Sequence, residues 1–330
     1  MRRIYFLLAI LLAALLIAGC NQVKPHKESR FIMDTLIDIT VYGTNAQDSV
    51  REAFGEYERI YRLANLYDDN SQLAQINRAA GIKPIKADPA LIEMLERACD
   101  LSAQLDGAFD VSIGPLTELW GIGKKGEFVP SDDEIKEALA LVDYRLIQVN
   151  REEGTIFLPL AGMKLDMGGI AKGYATDKAV EVLQKRGIKS ALVNAGGNVR
   201  IIGKRPDGKP WRIGVQNPRK EDGIAAKLAL DNWNTMETSG DYQRFIMKDG
   251  IRYSHLLDPR TGKQPRGTIS VTMVLNNSTD GDVFSTALFV LGAEKGLQAL
   301  QKFPGVEAIF IDETGKISYS PGLNGKIEVE

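Results

Sequence analysis

The stretch Leu165–Asp177, LDMGGIAKGYATD, constrains this 330-residue chain more than any other. It places a carboxylate, two adjacent glycines and a lysine at the mouth of a helix. Ile170, Ala171, Tyr174, Ala175, Ala179, Val182 and Leu183 recur at helical spacing until Gly187, where a left-handed C′ residue is expected. Short strands are expected on both sides: Thr155–Leu158 and Met163–Asp166 before the helix, and Ser190–Ala195 after it, running straight into Gly196-Gly197-Asn198. Strand, helix and strand joined by glycine turns can bring backbone N–H groups and a positive helix N-terminus up to an anion such as a diphosphate, with Lys172 in the first turn. The spacing is GGxxxG, matching neither Walker A nor GxGxxG, and a tight turn with a solvated lysine accounts for the same residues.

The start of the chain is a different matter. Arg2 and Arg3 precede an apolar run from Ile4 to Ala18, short for a membrane span and suited to the core of a secretory signal. Ile17-Ala18-Gly19-Cys20 has the form of a bacterial lipobox, which predicts cleavage before Cys20 and lipidation of its thiol. Residues 1–19 are therefore expected to be a lipoprotein signal peptide, 20–29 the lipidated cysteine and a polar tether, and 30–330 the folded body. The body is expected to be exported and held on a membrane, at the periplasmic side of an inner membrane or the outer face of the cell membrane; an uncleaved anchor would also put it outside the cytoplasm. Acylation of Cys20 leaves Cys99 without an intrachain partner. Cys99 shares a helical pattern with Leu91, Met94, Leu95 and Ala98, and reads as a packed core thiol. Such a body is held by its core, and the composition, 44% hydrophobic and 25% charged, supplies one. The formal net charge is −2 with no basic stripe, which speaks against nucleic acid as a partner.

Within the body, Phe31, Met33, Ile37, Ile39 and Val41 alternate as a half-buried strand requires, interrupted by polar Asp34-Thr35. A helix is predicted over 46–64, followed by the polar loop Tyr67–Ser71. Asp88-Pro89 is an N-cap and N1 pair for a helix reaching Asp106-Gly107. Ala108-Phe109-Asp110 follow at once, and an aromatic and an acid there can line a ligand pocket or close a turn. Ser131 with Glu134 forms a capping box. Arg145–Asn150 pairs with Thr155–Leu158 as a hairpin, and Val199–Gly203, Trp211–Gln216 and Lys227–Leu230 read as antiparallel strands. Glu237–Gln243 holds too many turn formers for regular structure. In Tyr253–Gly262, Asp258-Pro259 and Thr261-Gly262 bracket a tight turn just after His255. The other histidine, His26, falls in the tether, so His255 is the imidazole expected in the body, where a lone histidine can also be structural.

Thr268–Leu275 reads as an alternating strand, and a helix carrying Asp282 and Thr286 ends at Gly292. Four residues apart, the Asp282 carboxylate and Thr286 hydroxyl share a helix face. Two hard oxygens there can hold magnesium or calcium, with carbonyl and phosphate oxygens completing the shell, or they can simply face water. Ala293–Phe303 continues as helix, and Glu307–Asp312 with Lys316–Ser320 forms a closing hairpin.

Met33-Asp34-Thr35, Ala108–Pro115, Asp166–Asp177 with Asn194–Asn198, Tyr253–Gly262 and Asp282–Gly292 stand in an order that resembles the ApbE family of bacterial FAD:protein FMN transferases. The resemblance runs from about Arg30 to Gly322. One departure is visible: Asp34 stands where the family usually has glycine. The resemblance implies an α+β, two-lobed, T-fold-like architecture of mixed, largely antiparallel sheets with helices. It implies transfer of the FMN half of FAD to a threonine or serine hydroxyl of an acceptor flavoprotein, such as a membrane redox-pump subunit, with AMP leaving. By the same analogy Met33, Tyr67, Ala108, Phe109, Asp110, Asp166, Lys172, His255 and Leu256 hold FAD, while the Gly169 carbonyl with Asp282 and Thr286 holds Mg²⁺. Lys172, Asp282 and His255 are the implied catalytic groups, with Asp241 and Asp258 as rival bases to His255. An FAD pyrophosphatase giving FMN and AMP, and an FAD-storage lipoprotein, are the alternatives.

Overall fold

A computed structural model describes residues 24–330. The signal sequence, the lipobox and Cys20 lie outside the described residues. In chain order the elements are β1 (His26–Ile32), β2 (Thr35–Tyr42), α1 (Ala46–Ala64), α2 (Gln72–Arg78), β3 (Ile85–Lys86), α3 (Pro89–Gln104), α4 (Gly114–Trp120), α5 (Asp132–Leu139), β4 (Gln148–Asn150) and β5 (Thr155–Phe157). There follow α6 (Ala171–Lys185), β6 (Ser190–Ala195), β7 (Asn198–Ile202), β8 (Trp211–Gln216), β9 (Ile224–Leu230), β10 (Thr235–Gly240), β11 (Phe245–Lys248), β12 (Ile251–Ser254), β13 (Thr268–Leu275), α7 (Ser278–Leu300), β14 (Glu307–Asp312), β15 (Ile317–Tyr319) and β16 (Ile327–Val329). Among the described residues no helix is long and apolar enough to cross a membrane.

The frame is an eight-stranded sheet in the order β1-β2-β6-β7-β10-β13-β14-β15, antiparallel at every pairing. Ile37, Ile39, Val193, Val271, Met273 and Phe310 pack on one face in the core that α1, α3, α6 and α7 share. Val199, Ile201, Met236, Val274 and Ile309 pack on the other, against the small sheet β16-β9-β8. A smaller cluster, Leu116, Trp120, Ile135 and Leu257, gathers α4 and α5, and the Trp120 indole donates to the Gly262 carbonyl at 2.8 Å. This is the α+β arrangement of largely antiparallel sheets and helices that the sequence implied.

The structure departs from the sequence-based expectations in several places. His26–Glu28 belong to β1, paired with Ile39–Val41, so the tether is shorter than residues 20–29 and His26 lies in the sheet. The expected single strand near Met33 is two strands joined by Met33-Asp34, whose φ angles of 56° and 57° make a two-residue hairpin turn of the type that matches strand twist. Met163–Asp166 forms no strand; Lys164 makes one parallel bridge to Ile113. Gly196-Gly197 turns the β6–β7 hairpin, and its N–H groups donate to the Leu36 carbonyl at 3.0 Å and to Asn194 Oδ1 at 2.9 Å, so they cradle no anion. Glu237–Gly240 lies in β10, a buried inner strand. The hydroxyls of Thr238 and Ser239 are tolerated because they meet partners: that of Thr238 lies 2.9 Å from that of Thr272, and that of Ser239 2.8 Å from that of Ser285. The alternation expected in β13 is present, yet every residue is buried because both faces of the sheet are covered. Gly292, at φ 75°, breaks α7 where a stop was expected.

Candidate functional site

The site forms where the N-terminal turns of α6 and α7 meet over β10. Two glycines of the GGxxxG stretch are required by that meeting. A Cβ on Gly173 would stand 2.1 Å from the Ser278 carbonyl oxygen, so only glycine lets α6 lie against the start of α7. A Cβ on Gly169 would stand 2.7 Å from Phe109 Cε2 and 3.6 Å from the Thr286 hydroxyl. Gly169, Phe109 and Thr286 are thus brought to one place. Asp177, farther along α6, fixes the same crossing: its carboxylate accepts from the N–H groups of Ser278 at 3.1 Å and Thr279 at 2.8 Å.

At the centre, Lys172 Nζ donates to Asp282 Oδ1 at 3.0 Å, and the Gly173 N–H donates to Asp282 Oδ2, also at 3.0 Å. The anion at this helix N-terminus is therefore the protein's own. Lys172 is a half-buried ion-pair partner, 23% exposed, rather than a freely solvated lysine. A third titratable residue completes the group: Glu237, fully buried on β10, whose Oε2 lies 3.9 Å from Lys172 Nζ and has no hydrogen-bond partner among the described residues. Its other oxygen accepts from the Thr235 hydroxyl at 3.1 Å. Burial pushes the Glu237 carboxyl up to about 8 despite Lys172. Burial also acts to lower the Lys172 pKa, but Asp282 and Glu237 outweigh it and hold the ammonium above its ordinary value.

His255 stands just after β12. Its backbone N–H donates to the Arg244 carbonyl at 3.0 Å, and its Nδ1 lies 3.2 Å from the same oxygen. A carbonyl only accepts, so Nδ1 carries the proton and Nε2 keeps its lone pair. Desolvation brings the imidazole pKa down to about 4, so the ring is neutral near pH 7. The rival bases are engaged: Asp241 binds Arg219 through two hydrogen bonds of 2.7 and 2.6 Å, and Asp258 binds Arg260 through two of 2.8 Å.

The remaining expected residues divide into two groups. Met33 and Asp34 form the β1–β2 turn, and Arg244 reaches Asp34 at 4.0 Å. Tyr67 is half-exposed, with Lys124 over its ring at 2.7 Å; burial first, then the Asp166 charge, raises its phenol to about 12. Asp34, Tyr67, Lys124 and Arg244 thus lie close enough for their charges to act on one another. Ala108 and Leu256 are buried in the apolar core, and Asp110 is spent on the chain itself, accepting from the Ser112 N–H at 2.8 Å and the Tyr144 N–H at 3.0 Å. Asp166 accepts from the Gly168 N–H at 2.8 Å and shapes the turn into α6. Sequence reasoning missed Glu237, Arg244 and Lys124. An acid amid Met236, Thr238 and Ser239 was the available signal for Glu237, since a strand seldom carries a charge inward without a use for it. Cys99 is a packed thiol on α3, raised to about 12 by burial.

The donors suit a hard divalent cation. The Thr286 hydroxyl donates to the Asp282 backbone carbonyl at 3.2 Å and lies beside Gly169, while the Asp282 carboxylate faces Lys172 and Gly173; all three residues offer oxygen. Among the described residues no group of three or more acids, histidines or cysteines gathers to hold a metal, so water, backbone or ligand oxygens would complete the shell. Cavities of about 370 Å³, beside Ile213 and Ile224, and about 350 Å³, behind Asp110 and Tyr144, lie away from the Lys172–Asp282 pair and contribute no lining to it.

The sequence profile of the ApbE family matches residues 33–310. A FAD:protein FMN transferase of Treponema pallidum (strain Nichols) is 34% identical, over 99% of this chain and 95% of its own length. One of Klebsiella pneumoniae (strain 342) is 35% identical, over 79% of this chain and 84% of its own. The crystal structure of an ApbE protein from Thermotoga maritima superposes with a TM-score of 0.85 at 33% identity, covering 91% of this chain and 98% of that one. The flavin transferase ApbE of Vibrio cholerae superposes with a TM-score of 0.82 at 26% identity, over 92% of this chain and 99% of that one.

Proposed function

The chain belongs to the ApbE family, and from that premise we propose that it is an FAD:protein FMN transferase, exported and anchored to a membrane through lipidated Cys20. The observation that carries this reading is the half-buried Lys172 ammonium, 3.0 Å from Asp282, beside the Gly169–Thr286 contact. Such a group of one cation and several oxygen donors suits a diphosphate that arrives with a divalent ion.

In this reading the substrate diphosphate lies over the start of α6, where Lys172 draws its negative charge. Phe109, buried in the core, backs Gly169, and the Met33-Asp34 turn and Tyr67 face the rest of FAD. Mg²⁺, held by Asp282, Thr286 and the Gly169 carbonyl, would supply neutralisation of diphosphate charge. The hydroxyl oxygen of an acceptor threonine or serine bonds to the phosphorus of the FMN half. The phosphorus–oxygen bond to the AMP half breaks, AMP leaves with that bond's electron pair, and the hydroxyl proton passes to His255 Nε2. A neutral imidazole with a free Nε2 is the form such a step requires.

Incubating the protein with FAD and Mg²⁺, with and without a threonine-bearing acceptor protein, tests the reading. Covalent flavin on the acceptor, with AMP released in equal amount, is the expected result. Free FMN plus AMP regardless of acceptor would make it a pyrophosphatase, and unchanged FAD a storage protein.

A further inference from the structure

Asp282 is fully engaged in this structure: one oxygen receives Lys172, the other the Gly173 N–H. A divalent cation on Asp282 must therefore compete with the Lys172 ammonium for Oδ1, because two cations cannot both approach one carboxylate oxygen without strong repulsion. The displaced ammonium sits in a half-buried position, 23% exposed, where leaving it unpaired carries a desolvation cost. Among the described residues one further acid side chain, Glu237, lies within reach of it. Glu237 Oε2 lies 3.9 Å from Nζ, is fully buried, and has no hydrogen-bond partner among the described residues. Its surroundings hold it still: Oε1 is tied to Thr235, and a Cβ on Gly281 would touch Glu237 Cγ at 2.5 Å, so the side chain has little room to move.

We infer that Glu237 is a positioning residue that takes over Lys172 from Asp282 when a divalent cation binds, so that the ammonium stays in the cleft while Asp282 turns to the metal. This rests on the metal reading of Asp282 given above. A shift of about an ångström at the end of a four-carbon stem is enough to close the gap to hydrogen-bond length.

The exchange has a signature that a merely structural Glu237 lacks, because its effect must pass through Lys172. The measurement is the rise in melting temperature with Mg²⁺ alone, without flavin, for the parent, Glu237→Gln, Lys172→Met and the double variant. Glu237→Gln keeps shape but removes the alternative partner, so its half-effect concentration of Mg²⁺ should rise about tenfold, the worth of one charge-assisted hydrogen bond. Lys172→Met removes the competitor and should lower that concentration, a prediction that stands even if Glu237→Gln folds poorly. In the Lys172→Met background, Glu237→Gln should change nothing further. An unchanged midpoint in Glu237→Gln, or the same shift with and without Lys172, would overturn the exchange while leaving the metal reading intact. A parent whose melting temperature ignores Mg²⁺ would overturn both.

Discussion

Lys172 and Asp282 come from different helices, 110 residues apart in sequence, and meet at 3.0 Å, with Gly173 holding the second Asp282 oxygen. The pair therefore locks α6 to α7 as well as setting charge at the site. Neither partner can be removed without consequences for both stability and ligand binding.

Lys172→Met should show this double effect. Losing the ammonium leaves a buried carboxylate with only the Gly173 N–H, which should lower stability by up to about 3 kcal/mol. The dissociation constant for FAD should rise about ten- to a hundredfold, the worth of a charge-assisted contact to the diphosphate. Chemical denaturation and a flavin fluorescence titration measure the two separately.

Gly173→Ala and Gly55→Ala should have opposite signs. The first puts a Cβ 2.1 Å from the Ser278 carbonyl oxygen and should cost about 1–3 kcal/mol by forcing the helices apart. The second, inside α1 with nothing within 4 Å of the new Cβ, should add about 0.5–1 kcal/mol through helix propensity. Urea denaturation of both variants checks the pair.

Much of the frame was legible because local rules govern it. The Asp88-Pro89 start of α3, the Ser131–Glu134 capping box and the bounds of α1 and β6 all follow from short-range chemistry. The site was legible in part. The glycines, Lys172 and Asp282 stood out as residue types, but the Lys172–Asp282 pairing spans 110 residues and leaves no periodic trace. β10 was hidden for a related reason. Thr235, Thr238 and Ser239 look like turn residues until partners on β13 and α7 satisfy their hydroxyls, and those partners are distant in sequence. The Met33-Asp34 turn was obscured because neither residue advertises the positive φ that both adopt.

Asp34→Gly tests that turn. At φ 57°, replacing Asp34 by the glycine usual in its family should relieve about 1 kcal/mol of backbone strain. The ion pair that Asp34 makes with Arg244, at 4.0 Å, joins two exposed groups and contributes little. A higher melting temperature is expected, and a lower one would mean that Asp34 holds the turn through its side chain.

His255 sets an acid limit. Its pKa falls from 6.5 to about 4 on folding because burial disfavours the charged ring. Between these values the unfolded chain binds the extra proton, so His255 contributes stability in full above about pH 6.5 and loses it as the pH falls toward about 4. His255→Asn should flatten that flank of the stability curve, as melting temperatures across pH 4–7 will show.

The claim that Asp282 and Thr286 hold a catalytic divalent cation is tested most directly by flavin transfer to an acceptor protein, measured against Mg²⁺ concentration for the parent, Asp282→Ala and Thr286→Val. Asp282→Ala should abolish transfer or demand far more Mg²⁺, because it removes the anionic side chain assigned to the ion, and Thr286→Val should shift the curve the same way by less. Three superimposable curves would remove the metal from this site and contradict the mechanism built on it.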